Sequence, residues 1–204
     1  MLILDFTNHI QWTFLQMSRS HIDYNAPLVL SFTLACGAIF VLDRLVHGWL
    51  ILNFFSISRP FSFLDPISYL TLVSHVFGHA TPEHLILNLS IILLVGPILE
   101  EKYGTQSLLT MCLVTALITG ILNNLLFSTG LLGASGLAFM FIVLSSFANA
   151  KAGTIPLTFI LVALIYVGNE FFQAFQENNI SEFAHILGGV CGSIFGYYRN
   201  RGGT

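Results

Sequence analysis

Charge is what this chain has least of. Only 17 of its 204 residues are Asp, Glu, Lys or Arg, 8%, where a soluble domain carries roughly 25%. So few charged side chains cannot dress a water-facing surface, and with 55% hydrophobic residues a soluble globule is excluded and the solvent is lipid. Basic residues are scarce too. Seven Lys and Arg against ten Asp and Glu give a formal net charge of -3, which leaves no basic patch for nucleic acid. Cys36, Cys112 and Cys191 are odd in number and each sits in an apolar run, so neither a disulfide framework nor a metal motif is visible. No basic stretch opens the chain and Asp5 interrupts its first apolar residues. A cleavable signal peptide is therefore not expected, and the amino terminus is expected to stay in the mature protein.

What is present is apolar sequence in long runs. At about 20 residues per spanning helix, the runs from Pro27 to about Val46, His84–Tyr103, Gln106–Phe127, Ser135–Ala150, Thr154–Gln173 and Phe183–Tyr198 predict six spans. Asp43 and Arg44, near the far end of the first, are expected to reach headgroups. Residues 1–26 show Ile3, Phe6, Ile10, Phe14 and Met17 at helical spacing among polar residues, the pattern of an interfacial amphipathic helix. The domain reading is thus an N-terminal segment, 1–26, followed by a six-helix membrane domain, 27–204. Residues 47–82 are irregular but rich in aromatic and aliphatic side chains. Backbone at membrane depth needs internal hydrogen-bond partners, so short helices and turns packed on the bundle are expected there. Arg19, Lys102, Lys151, Arg199 and Arg201 share one side, leaving Arg44 and Arg59 on the other. By the positive-inside rule both termini lie in the cytoplasm, in a plasma or inner membrane.

Polar residues inside spans are costly, and here four of them share a level. At about 1.5 Å per residue, Ser135 is about 24 Å from Lys151, and His185 is about 21 Å from Arg199. Asn88 and His84 are about 21 and about 27 Å from Lys102. All four therefore lie in the outer half of a core about 30 Å thick. Gly133-Ala134-Ser135-Gly136 opens the fourth span, so Ser135 falls at a helix amino terminus, where free N–H groups and the helix dipole favour a developing oxyanion. A serine there is also a common N-cap, and a G-x-S-G alone does not separate the two roles. His185 is followed by Gly188, Gly192 and Gly196 at helical spacing, a smooth stripe that permits close approach of another helix. If that helix is span four, His185 comes within reach of Ser135 as a general base.

His84 and Asn88 are four apart on one helical face. Both are candidate oxyanion donors, though interhelical hydrogen bonding would explain them as well. His75, His79 and His84 invite a metal reading, but Pro82 interrupts any continuous helix through them and no H-E-x-x-H signature is present. No metal or cofactor is expected. Glu170, Glu177 and Glu182 belong to the connection before the last span. With no carboxylate at the shared depth, a Ser-His dyad is the expected form, not a triad.

From about Ile67 to Arg201 these motifs resemble the rhomboid intramembrane serine proteases. His75, His79, His84 and Asn88 reproduce that family's second-span spacing, Gly133-Ala134-Ser135-Gly136 is similar to its nucleophile motif, and Ala184-His185-Ile186-Leu187-Gly188 with Gly192 is similar to its base-bearing sixth span. The resemblance implies an all-α, six-helix membrane protease with a long membrane-associated first loop. Ser135 would be nucleophile and His185 general base, and His84, Asn88 and backbone N–H groups from Gly133 to Ser135 the oxyanion site. It also implies a structural role for Glu100 at the cytoplasmic end of span two, and loop-organising roles for His75 and His79. Its substrates would be transmembrane proteins within the lipid bilayer. Two positions depart from the family pattern. Phe139 stands where many relatives have a tyrosine stacked on the histidine, and Arg59 is not preceded by the tryptophan of some bacterial members. A catalytically silent, client-binding relative is the alternative, although such members lack the serine or the histidine. A transporter is the other, but it predicts paired repeats that the sequence does not show.

Overall fold

The computed structural model describes residues 23–127, 130–148, 150–151, 154–162, 164–165 and 181–201. Among them the chain is helical, with one isolated antiparallel bridge, Ile57 to Leu131. Its helices are α1 (Pro27–Leu45), α2 (Trp49–Phe54), α3 (Pro66–Ser74), α4 (Pro82–Tyr103), α5 (Thr105–Leu126), α6 (Ser135–Ser145) and α7 (Ser181–Arg201), with a single 3-10 turn at His75–Phe77. The expected amphipathic segment falls almost wholly outside the described residues. So does much of the expected fifth span, of which residues 157–162 and 164–165 are helical.

Local chemistry sets the helix starts. Pro occupies the first turn of α1, α3 and α4, where its fixed φ suits the helix and its missing N–H is not needed. Asp65 caps α3 by accepting from the Ile67 N–H at 3.0 Å, and Thr81 caps α4 by accepting from the His84 N–H at 3.2 Å. α1 has no capping side chain of its own. Its free N–H groups at Leu28 and Val29 instead donate to the Glu100 carboxylate of α4, at 2.9 and 3.1 Å. Thr105 Oγ1 donates to the same carboxylate at 2.8 Å. One buried anion thus ties the start of α1 to the α4–α5 turn, at the positive end of a helix dipole.

α1, α4 and α5 are each long and apolar enough to cross a membrane. α6 is not. The expected fourth span, Ser135–Ala150, is helical only to Ser145, an eleven-residue element. Ser145 and Ser146 turn their hydroxyls back onto the Ile142 and Val143 carbonyls, both at 2.7 Å, the local competition that ends helices. Because α6 is buried on nearly every side, through Leu137, Met140, Phe141 and Leu144, it is a core element surrounded by longer helices. Asp43 also differs from the expectation of a headgroup contact. It is 3% exposed and accepts from the Ile51 N–H at 2.8 Å, because the chain turns back at Gly48 and brings the start of α2 onto it. Its neighbour Arg44 does point outward, donating to the Ala80 carbonyl at 2.7 Å.

Candidate functional site

The site is built around the turn that enters α6. Leu131 pairs with Ile57 through two backbone hydrogen bonds, 2.8 and 3.1 Å, and fixes the approach to that turn. Gly133 then adopts φ +115°, and a Cβ built on it would lie 2.5 Å from Cε1 of His84 and 2.6 Å from its Nε2. Only glycine satisfies both the backbone and the contact. The Gly133 N–H donates to the His75 carbonyl at 3.0 Å, and the Ala134 N–H donates to Nε2 of His79 at 3.4 Å.

The ring contacts fix the tautomers of both histidines. Since Nε2 of His79 accepts, its proton sits on Nδ1, which donates to the Phe77 carbonyl at 3.2 Å. His75 donates from Nδ1 to the Thr71 carbonyl at 3.1 Å, and its Nε2 lies 3.4 Å from Thr119 Oγ1. Both rings are buried. Burial pushes the pKa of His75 down to about 4, and burial with the nearby His84 does the same for His79. Both are neutral, acting as fixed hydrogen-bonding struts under the turn.

Ser135 is the first residue of α6. Ala134 is the N-cap, and no side chain caps the helix, so the Ser135 hydroxyl is not engaged as an N-cap. The N–H groups of Ser135, Gly136 and Leu137 head the helix and have no intrahelical partner. The Gly133 N–H, engaged with His75, does not join them. Gly133 contributes instead the absence of a side chain beside His84. Next to it, the buried Asn88 has its Nδ2 without a hydrogen-bond partner among the described residues, 3.7 Å from the Cβ position on Gly133. A buried donor left unpaired is costly, and one aimed at a glycine turn is placed to serve a ligand atom.

α7 meets α6 along the glycine stripe. A Cβ on Gly188 would lie 2.0 Å from the Gly136 carbonyl oxygen, and one on Gly192 would lie 2.6 Å from that of Met140. On Gly196 it would meet Phe147 at 2.3 Å. Backbone therefore packs on backbone at Gly188 and Gly192, and Gly196 leaves room for the Phe147 ring. At the upper end of this contact His185 lies face to face with Phe139, ring centroids 4.2 Å apart and planes 5° from parallel. Phe139 is one turn beyond Ser135 on α6, and Ala184 next to His185 places its carbonyl 3.3 Å from the Cβ position on Gly136. The α6–α7 contact thus brings the segment around His185 close to the turn at Gly136, next to Ser135.

The structure gathers His75, His79, His84, Asn88, Gly133, Ser135, Gly136, Phe139, His185 and Gly188 into one region. Glu100 stands apart, twelve residues below Asn88 on α4, about 18 Å along the helix, and Gly192 lies one turn further along the α7 contact. A row of buried polar residues on α5 escaped the sequence reading: Thr115, Thr119 and Asn123, 0%, 3% and 2% exposed. Thr119 meets both His75 and the Gly136 face, its Cγ2 3.5 Å from the Cβ position there. Their spacing of four, on the same face as Gly120, was the available signal. Among the described residues no cluster of three or more His, Cys, Asp or Glu is arranged to hold a metal ion.

The chain is similar to known proteins over most of its length. The family model for the Rhomboid domain matches residues 66–202. A rhomboid protease GlpG of Haemophilus influenzae is 25% identical over 128 residues, 61% of this chain and 67% of that protein. The rhomboid protease GlpG of Yersinia pestis (strain Pestoides F) is 24% identical over 200 residues, 94% of this chain and 68% of that one. That of Yersinia enterocolitica is likewise 24% identical, over 198 residues.

Proposed function

The chain belongs to the rhomboid family, and from that premise we propose that it is an intramembrane serine endopeptidase working through a Ser135–His185 dyad. With three helices long and apolar enough to cross a bilayer, it is an integral membrane protein. The observation that carries the proposal is the backbone contact of Gly188 with Gly136, capped by the Phe139–His185 stack. Glycine at both positions lets the helices that carry Ser135 and His185 approach closely, which supports this reading.

In the proposed reaction, a ring nitrogen of His185 takes the Ser135 proton as the hydroxyl oxygen attacks a substrate carbonyl. The developing oxyanion is met by the N–H groups heading α6, by Asn88 Nδ2 and by the His84 ring. His185 then gives its proton to the leaving amine, and water hydrolyses the acyl-enzyme by the same path in reverse. The stack holds the imidazole plane, so the ring does not have to find its orientation at each turnover. Substrates would be membrane proteins whose scissile stretch unwinds, because a helix hides its carbonyls in i to i-4 bonds. Six spans and cytoplasmic termini belong to the same proposal.

The test is cleavage of a single-span model substrate by the purified protein beside Ser135→Ala and His185→Ala. Both variants are expected to lose at least about 10³-fold in turnover, and a fluorophosphonate probe should label the wild type and not Ser135→Ala. Equal cleavage by all three would overturn the dyad.

A further inference from the structure

We propose that a hydrocarbon chain of a bilayer lipid occupies a cavity between α1 and α5 and supports α6 from behind. The cavity measures about 290 Å³. Phe32 and Ala35 of α1 and Leu109 and Leu113 of α5 line its sides, and Leu137 and Phe141 of α6 form its floor. Of the side chains around it, only Ser31 and Cys112 carry a heteroatom, and the Ser31 hydroxyl is engaged with that of Tyr24 at 2.9 Å.

Two occupants compete, water and lipid, and the chemistry of the lining separates them. Water takes about 30 Å³ per molecule and needs two to four polar partners; the cavity has room for several and partners for almost none. An acyl chain is thin, apolar and flexible. It is also what lies at the opening, since α1 and α5 are both apolar enough to cross the membrane and Leu34, Leu109 and Leu113 beside it are exposed. The cavity is continuous with the lipid-facing surface, so filling it needs no partner beyond the bilayer. Its floor is the far side of the helix that begins at Ser135, so an occupied cavity buttresses that helix. This inference stands whether or not Ser135 is a nucleophile.

The experiment uses the full chain, purified in dodecyl maltoside and exhaustively delipidated, with palmitoyl-oleoyl-phosphatidylethanolamine added back. Native mass spectrometry should show one retained lipid on the wild type, and the thermal midpoint should rise by about 5 °C on saturation. Ala35→Phe, which fills the cavity from α1, should cut lipid retention at least fivefold and remove most of the rise. Ala116→Val, adding two methyl groups at the α5 wall, is the milder version should the phenylalanine prevent folding, and should give an intermediate response. Retention and stabilisation unchanged in both variants would overturn the proposal. So would a wild type that carries no lipid adduct and does not respond to lipid, which would leave the space to the chain's own amino-terminal segment or to nothing.

Discussion

Two helix pairs in this protein are packed on opposite terms. α6 and α7 meet through glycine, backbone against backbone, with contacts so close that a single methyl has no room at Gly188. α1 and α5, on the other flank of α6, leave about 290 Å³ between them, and α1 is held at its start by one carboxylate, Glu100. The contrast teaches where rigidity is placed. Small residues bring two polar groups together at the candidate site, where errors of 1 Å are costly. The outer flank uses ordinary aliphatic surface that lipid can complete.

The sharpest way to break the comparison is to add the same methyl to both flanks. Gly188→Ala should lower cleavage by at least about 100-fold, the cost of shifting a reacting group by about 1 Å. Gly37 of α1, with nothing within 4 Å of its Cβ position, should accept the same change with unaltered cleavage and about 1 kcal/mol more helix stability. Cleavage unchanged in Gly188→Ala would mean that the glycine contact does not position the site.

Glu100→Ala should have the next largest effect. It strips three donors of a buried charged partner, costing about 3 kcal/mol and lowering the thermal midpoint by about 10 °C. A drop of less than about 2 °C would mean that α1 is secured elsewhere.

Acid should act next, on the site flank. His75 and His79 are held neutral, with pKa values near 4, against about 6.5 in the unfolded chain. Between those values the unfolded state binds more protons, so stability is full above pH 6.5 and falls as pH drops toward 4. Thermal midpoints measured from pH 7 to 5 should fall, and His79→Gln, which keeps an acceptor for the Ala134 N–H, should flatten the slope. An unchanged slope would remove His79 from the account.

The smallest expected effect is at Phe139. Phe139→Leu gives up a ring contact worth about 1 kcal/mol, roughly a fivefold fall in kcat with KM little changed, whereas Phe139→Tyr keeps the stack and should stay within twofold of the wild type. Equal rates for the leucine and tyrosine variants would show that the ring face is not what orients His185.

Much of this architecture was legible because it follows from local rules. Pro82 after Thr81 marks the start of α4, Gly104 its end, and the glycines at 188, 192 and 196 announce a helix face that another backbone will touch. What was not legible depends on partners distant in sequence. Nothing near Asp43 says that its carboxylate receives Ile51, and nothing near Ile57 says that it pairs with Leu131. The early stop of α6 is a case of two serines overruling an apolar run that continues past them. The spacing of His75 and His79 marked them as notable, yet only the fold shows them under Gly133 and Ala134. Thr115, Thr119 and Asn123 were hidden by the opposite problem: in a greasy helix they read as tolerated exceptions, and only the fold shows the face they share to be buried.

The length of α6 carries a last implication. Eleven residues rise about 16 Å, half of a hydrocarbon core about 30 Å thick, so this helix cannot present both of its tips to headgroups. At least one tip ends inside the bundle at membrane depth, where its amides depend on partners from the protein itself. The pair of imidazole-bearing residues beneath the entry turn can be understood as the substitute for that missing hydration: they take up two amides just ahead of the helix and leave the next ones unsated, an appetite for negative charge in a medium with no ions to quench it.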